Sequence, residues 1–552
     1  MSHSIHSAAH KSVMTDIEKQ HDRIHPHDHP VTPLEKPDLS AKSIKHYFAT
    51  RLSTLVPKAE DFKDKRYIFN PFIVLRELTP KNWNFFMCGF AAWTWDAVDF
   101  FSVSLNVSNI AKDLDVTTKD VTWGLTLVLM LRSVGAISFG LWADRKGRKW
   151  PFVFNMILLI VLQIGLGFVN TYKQFLGVRA IFGIAMGAVF GNASSLALDD
   201  CPPRAKGIVS GIFQQGYAFG YLLVVVFQRA ITDNSSHSWR ALFWFSAGPP
   251  VLIILWRLVL PETDAFIAQQ NLRMETSDGL TASQQFVKQG KDALRVYWLM
   301  LIYMIIMMAA FNFSSHSSQD LYPTLLTVQY EFGKDRSTVT NVVANLGAIV
   351  GGVFWGHMSN FIGRRLAVLL CCIVGGAFIY PWAFLPNSGI NAGAFFLQFA
   401  VQGGWGVCPV HLAEMSPPHF RAFVTGTTYQ LGNLASSGSS TILADIGERF
   451  PIYDENGVRK EGVYDYAKVM AIFMGAVFAF LFIVMLLGPE RRGASNLDDL
   501  QDYIDDWEQK ELDTKKGIET EFIEDVQLME TVSNKDLSEK GNEKVETFEG
   551  NK

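Results

Sequence analysis

The chain has 552 residues, 49% of them hydrophobic and only 18% charged, with 42 phenylalanines; this balance suits a polytopic membrane protein and argues against a string of soluble domains. A formal net charge of −4 says little about partners, and none among the nucleic acids is expected. The five cysteines (Cys88, Cys201, Cys371, Cys372, Cys408) lie in or beside apolar segments without C-x-x-C spacing, so we expect no disulfide framework, no zinc site and no cofactor.

The first 80 residues are polar and lack an apolar h-region, so they are not a cleavable signal peptide, and the first membrane helix is expected to target the chain. Seven histidines (His3, His6, His10, His21, His25, His27, His29) crowd into this tail. Such a tract can bind metal, but the composition favours a solvated, disordered cytoplasmic tail over 1–80. Apolar runs of about 20 residues, enough to span a bilayer, follow near 83–107, 121–143, 150–169, 173–198, 207–229 and 239–260. After a polar loop, 262–294, six more lie near 296–326, 338–358, 366–385, 390–413, 423–446 and 467–488. The expected organisation is therefore an N-terminal six-helix bundle (81–261), a central loop (262–294), a C-terminal six-helix bundle (295–490) and a charged, disordered tail (491–552). Arg145, Lys146, Arg148 and Lys149 after the second span, Arg204 and Lys206 after the fourth, and Arg364 and Arg365 after the eighth put these loops and both termini in the cytoplasm by the positive-inside rule. Asn234-Ser235-Ser236, a glycosylation sequon, then falls outside.

Within the first span, Asp96 and Asp99 stand one helical turn apart. At 1.5 Å per residue, Arg132 lies about 16 Å into the second span, near the midplane, where a charged side chain needs a partner. Its planar guanidinium suits bidentate capture of a carboxylate, or it forms a structural ion pair with Asp96 or Asp99. An acid beside that cation is a candidate proton carrier, because binding an anion at Arg132 alters how firmly the acid holds a proton. Arg179 is either a second anion contact or a helix-end anchor, ahead of a packing ladder of Gly183, Gly187 and Gly191. Phe213, beside Gln214, Gln215 and Tyr217, either shapes a pocket or packs in the core. Asp199, Asp200 and Glu414 sit at helix ends, where latching to a nearby Arg is the expected role.

The apolar run 297–311 passes directly into Asn312-F-S-Ser315-His316-S-S-Gln319-Asp320-L-Y-Pro323-Thr324. Asn312, Ser315, His316 and Gln319 share one helix face, and hydrocarbon cannot satisfy them, so they must face protein or a wet cavity. Imidazole changes charge near neutral pH, and Asp320, one turn on, can orient it. Pro323 frees the carbonyl of Gln319 and predicts a bend. Counting from Tyr297, His316 lies about 28 Å in, which predicts an outer, proton-sensitive gate distant from Arg132. In the eleventh span, Gln430 and Asn433 share a face and either orient a substrate or join helices.

The halves repeat. Gly140-L-W-A-Asp144-Arg145-K-Gly147-Arg148-Lys149 is matched by Gly356-H-M-S-Asn360-F-I-Gly363-Arg364-Arg365, and Pro202-P-R-A-K-G-I-V-S-Gly211 by Pro417-P-H-F-R-A-F-V-T-Gly426. Glycine turns let Asp144 and Arg148 reach neighbouring helix ends and latch the joint, while Asn360 weakens a charge-based latch in the second copy. Six plus six helices with this duplicated loop resemble the major facilitator superfamily over about residues 80–490. The resemblance implies an all-α polytopic membrane protein with twelve transmembrane helices as two six-helix halves around a central cavity. The stretch from Asn312 also fits N-x-x-[ST]-H-x-[ST]-Q-D-x-x-x-T, which resembles the fungal Jen family of monocarboxylate:proton symporters in the sialate:proton symporter branch.

That resemblance implies a plasma-membrane importer of lactate, pyruvate and related acids, with relatives that prefer malate or succinate. It carries over Asn312, Ser315, His316 and Asp320 as transport residues, with Gln430 and Asn433 similar to a second family motif. The expected substrate set is thus Arg132, Arg179, Phe213, Asn312, Ser315, His316, Gln319, Gln430 and Asn433; the proton set Asp96, Asp99, His316 and Asp320; the latch Gly140, Asp144, Arg145, Gly147, Arg148, Gly363 and Arg364. No G-x-x-x-x-G-K-[ST] loop is present, so no ATP is needed, and no nucleophile–base set marks an enzyme. The partners expected are a small carboxylate, a proton and the lipid bilayer, with tail lysines open to ubiquitin and endocytic machinery. A dicarboxylate symporter and a transporter-like nutrient receptor are the alternatives.

Overall fold

The computed structural model describes residues 37, 39–57, 62, 65–232, 234–275, 282–447, 449–453 and 459–492. The seven tail histidines and the charged segment from 493 onward lie outside the described residues. Long helices match the expected spans: α1 (Pro80–Leu105), α2 (Thr118–Lys146), α3 (Lys149–Leu166), α4 (Tyr172–Leu198), α5 (Lys206–Thr232) and α6 (Trp239–Val259). The second set is α7 (Ala282–Gln319), α8 (Lys334–Ile362), α9 (Arg364–Phe384), α10 (Gly389–Met415), α11 (Arg421–Ser436, continued by Ser439–Gly447) and α12 (Tyr466–Leu487). Among the described residues, nine helices are long and apolar enough to cross a membrane, and α1, α10 and α11 fall short; two of these three carry Asp96, Gln430 and Asn433.

Local chemistry sets the ends. Thr79 with Asn82 and Thr117 with Asp120 form reciprocal capping boxes that start α1 and α2. Gly147 and Gly363 each sit at φ 97°, the left-handed region that glycine adopts without a Cβ clash, and close α2 and α8 at equivalent points of the repeat.

Three segments depart from the sequence reading. Part of the expected tail is folded: helices Ala41–Ala49, Lys65–Phe69 and Pro71–Leu75 lie against the bundle. Arg51 Nη1 donates to Gly488 O at 2.9 Å, His357 Nε2 lies 3.1 Å from Ile68 O, and Val74 is fully buried. A few apolar residues, Leu55, Val74 and Leu78, provide docking that the overall polar composition conceals. The central loop contains a helix, Asp264–Glu275, and α7 begins before its end at Ala282. Between α11 and α12 an antiparallel hairpin pairs Pro451 with Tyr464 and Tyr453 with Arg459.

The early start of α7 changes the depth of His316. Tyr303 Oη lies 3.7 Å from Met485 Sδ and fills the space beside Gly488, so Tyr303, not Tyr297, is level with the end of α12. His316 is then about 20 Å beyond that level, mid-depth rather than at an outer surface. The helix stops at Gln319 and resumes at Tyr322–Thr324, a break where a bend was expected.

The two halves meet near the Gly140–Lys149 loop, here termed the latch end. A Cβ on Gly211 of α5 would approach Gly352 O of α8 to 2.5 Å, one on Gly356 would approach Gly207 O to 2.7 Å, and one on Gly140 would approach Phe423 Cα to 2.6 Å. Ser210 Oγ donates to Gly406 O at 2.8 Å and accepts from Val410 N at 3.1 Å. Beyond Gln215, α5 keeps only marginal contact with α8 and packs chiefly on α1, so the two halves part toward the opposite end.

Candidate functional site

Arg132 on α2 and Asn433 on α11 are each about 18 Å from the latch end, counted from Asp144 and Arg421. Ser133 Oγ donates to Gln430 O at 3.4 Å and joins the two helices in that layer. Arg132 is almost fully buried; it donates to Met186 Sδ, its guanidinium lies 4.9 Å from the Phe100 ring centre, and its Nε has no partner. It forms no ion pair with Asp96 or Asp99. Asp96 shares its electrostatic surroundings, yet both Asp96 oxygens are buried without a hydrogen bond. Tyr217 of α5 interacts with Arg132 and feels Asp96 and Asp320.

From the other half, His316 Nδ1 stands 3.1 Å from Asp320 Oδ2 and Nε2 stands 3.5 Å from Asn433 Oδ1. Both neighbours are acceptors, which a doubly protonated ring satisfies fully and a neutral ring only in part. Asn433 Nδ2 in turn donates to Gln430 Oε1 at 3.4 Å. A polar chain therefore runs Asp320–His316–Asn433–Gln430 to the residue beside Arg132. The His316 and Asp320 side chains keep 23% and 31% exposure, so both retain contact with solvent-accessible space.

Aromatic rings close the layer below. Tyr429 stacks on Phe190 with centres 4.1 Å apart, and Trp93 and Trp405 meet its edge at 6.0 and 5.6 Å. These rings come from both halves and separate the site from the latch end. Phe213 stacks 6.2 Å from Trp93 and is wholly buried in this floor, in keeping with the core-packing alternative, and one turn further on Tyr217 meets Trp93 at 5.2 Å.

Other expected site residues are dispersed. Asp99 accepts from Gln163 Nε2 at 2.7 Å, inside the first half. Arg179 is fully buried mid-helix, 4.6 Å from the Phe182 ring centre and without a hydrogen bond, so it is not a helix-end anchor; Asp99 and Arg132 are its charged neighbours. Gln319, exposed, donates from Nε2 to Gln398 Oε1 on α10 at 3.2 Å. Asn312 is buried and donates to Met308 O at 2.8 Å, and Ser315, half-buried, accepts at its carbonyl from Ser318.

The latch is two related networks. Asp144 accepts from the amides of Ala422 and Phe423 at 3.2 and 2.8 Å, capping the N-terminus of α11 in the other half. Arg148 pairs with Asp199, and Glu262 accepts from the amides of Arg148 and Lys149 at 3.0 and 3.1 Å. In the second copy Arg364 grips Glu414 through two bonds of 3.0 and 2.8 Å, while Glu490 accepts from the Arg364 and Arg365 amides at 3.3 and 3.0 Å. Burial pushes the Glu490 carboxyl up, opposed by the Arg365 amide. Asn360, where Asp144 has its equivalent, donates to Arg204 O across the halves. Arg145 stands apart from both networks and donates to Ser283 Oγ at 2.5 Å.

Sequence reasoning missed Tyr217, Ser133 and the floor of Trp93, Phe190, Tyr429 and Trp405 as site elements. Their only signal was aromatic and hydroxyl residues beside residues already singled out.

Residues 70–496 match the family described as "Sugar (and other) transporter". The chain is 42% identical over 471 residues to the carboxylic acid transporter protein homolog of Saccharomyces cerevisiae, covering 83% of this chain and 76% of that one. It is 24% identical over 360 residues to the cis,cis-muconate transport protein of Acinetobacter baylyi, covering 64% and 84%. Among solved structures, the proton:xylose symporter XylE of E. coli aligns with a TM-score of 0.58 at 16% identity, over 76% of this chain and 98% of that one. The human organic anion transporter MFSD10 aligns at 0.54 and 13%, over 74% and 100%. At such identities the structural likeness concerns the fold, which is the twelve-helix arrangement built above. The chain belongs to the sugar (and other) transporter family of the major facilitator superfamily, and it is a polytopic membrane transporter rather than an enzyme.

Proposed function

We propose that this transporter imports short-chain monocarboxylates such as lactate and pyruvate together with protons across the plasma membrane, by alternating access. The observation that carries the proposal is the buried Arg132, free of any carboxylate partner, in one layer with the His316–Asp320 pair. A guanidinium held this way offers a carboxylate two parallel charge-assisted bonds. Tyr217, Gln430 and Asn433 are within the same layer and supply donors and acceptors for a hydroxyl or keto group. Proton uptake falls to Asp96 or to the His316–Asp320 pair, whose partners change when an anion reaches Arg132. Asp144, Arg148 and Arg364 latch the closed end, which the loop charges make cytoplasmic. The 42% identity to a yeast carboxylic acid transporter homolog supports the substrate class.

A second carboxylate would need a second cation in the layer besides His316, whose ring is already engaged by Asp320 and Asn433. Arg179 is shut inside the first half beside Asp99, which favours monocarboxylates over the dicarboxylate reading. In a competition panel with purified protein in liposomes, lactate and pyruvate are expected to suppress labelled lactate uptake about tenfold more effectively than malate or succinate. Equal or stronger suppression by the dicarboxylates would contradict the preference.

A further inference from the structure

The Ala41–Ala49 helix stands at the latch end beside the last turn of α12. Tyr47 Oη donates to Leu487 O at 2.9 Å and Arg51 Nη1 donates to Gly488 O at 2.9 Å, so the segment is bonded to the point where a membrane-spanning helix ends. Leu55 packs against the core, and Arg365 donates to Thr54 Oγ1 at 3.0 Å, which fixes how the segment lies. Ile44, Tyr47 and Phe48 fall on one helix face at i, i+3 and i+4; Lys42, Lys45 and His46 fall on the other at the same spacing. Beyond the end of the helix at Ala49, Leu52 in the following turn and Val56 after the Ser53–Leu55 turn add to the exposed apolar surface. In a segment of this length Phe48, Leu52 and Val56 are 55%, 68% and 71% exposed, an uncovered apolar face of the kind that marks a binding surface.

We propose that residues 41–56 are a membrane-surface anchor that lies in the headgroup region of an anionic leaflet, with Ile44, Phe48, Leu52 and Val56 inserted and Lys42 and Lys45 at the phosphates. Two features single out lipid as the occupant. The apolar surface adjoins the end of α12, where a helix long and apolar enough to cross a membrane stops. Its opposite face is basic, which fits a surface charge set by anionic headgroups. The inference rests on the proposed cytoplasmic side of the latch end only for which leaflet is used, and it is independent of the substrate.

The test uses full-length protein with Leu52→Cys or Lys45→Cys, each labelled with a thiol-reactive fluorophore; the five native cysteines are all buried. In vesicles of phosphatidylcholine with phosphatidylserine, nitroxide-bearing lipids are expected to quench the label at 52 about threefold or more above the label at 45, while aqueous iodide shows the reverse order. Lipid quenching at 52 should fall in phosphatidylcholine alone and when Lys42→Gln and Lys45→Gln are introduced. Equal iodide quenching at both positions overturns the proposal, as does a label at 52 shielded from both quenchers, which would mean a protein occupant. Lipid quenching that ignores headgroup charge overturns the anionic part. Uptake assays read the transport reading separately, so either can fail alone.

Discussion

Replacing Arg132 by Lys is expected to reduce carboxylate uptake by about 30-fold or more, to near background, with the protein still folded. The side chains share their charge, so the change isolates geometry. An ammonium is a point donor that cannot make the paired bonds of a planar guanidinium, and a hydrogen bond to a charged group is worth about 1.5–3 kcal/mol. That converts to roughly 10- to 150-fold in affinity. Folding should survive because Arg132 contributes no ion pair to the bundle; its contacts are the Met186 thioether, the Phe100 ring and Tyr217, and a lysine keeps the charge among them. Initial uptake rates over a range of lactate concentrations, with monodispersity on a sizing column as control, provide the measurement. Unchanged apparent affinity would assign Arg132 a packing role and leave the carboxylate without its clamp.

A side chain at Gly356 is the second large effect expected. In the arrangement closed at the latch end, Gly356 faces Gly207 O and Gly211 Cα, both 2.7 Å from where a Cβ would stand. Gly356→Leu therefore sets a branched side chain against backbone that cannot move aside, and overpacking of this kind costs about 1–3 kcal/mol. The cost should fall on the closed latch end alone, because the proposed alternating access requires α5 and α8 to separate there in the opposite state. The equilibrium should shift about tenfold or more toward an open latch end, with net transport falling accordingly. Spin labels at Lys146 and His419, which sit at this end on opposite halves, should move to longer distances. An unchanged distance distribution with normal uptake would show that this glycine crossing does not close the path.

Much of this architecture is legible in the sequence because it rests on local chemistry repeated twice. Gly147 and Gly363 mark equivalent left-handed turns, and the Arg148–Asp199 and Arg364–Glu414 pairs occupy matching places in the two halves. What the sequence conceals is registration between elements. Counting residues from the first apolar one put His316 at a surface, whereas α7 starts at Ala282 as a polar helix and meets the level of α12 only at Tyr303, so the same residue lies beside Asn433. Phe213 and Tyr217 share a helix face four residues apart; periodicity cannot say that the aromatic floor passes between them and leaves only Tyr217 beside Arg132. Asp144 stood out in the repeated loop motif, but its partners are backbone amides of α11, which carry no side-chain signature. The helices Ala41–Ala49, Lys65–Phe69 and Pro71–Leu75 were hidden by polar composition, since an amphipathic helix of nine residues needs few apolar positions.

Proton coupling is the centre of this account, and it is tested most directly by uptake of labelled lactate into liposomes that hold the purified transporter under an imposed pH gradient. With an acidic exterior and a neutral interior, lactate should accumulate above its external concentration, and a protonophore should release it. One proton per monocarboxylate is electroneutral, so each unit of pH difference supplies about 1.4 kcal/mol, or up to tenfold accumulation. A membrane potential alone should drive none. Uptake that equilibrates at the external concentration whatever the gradient would contradict the symport mechanism and leave facilitated diffusion in its place.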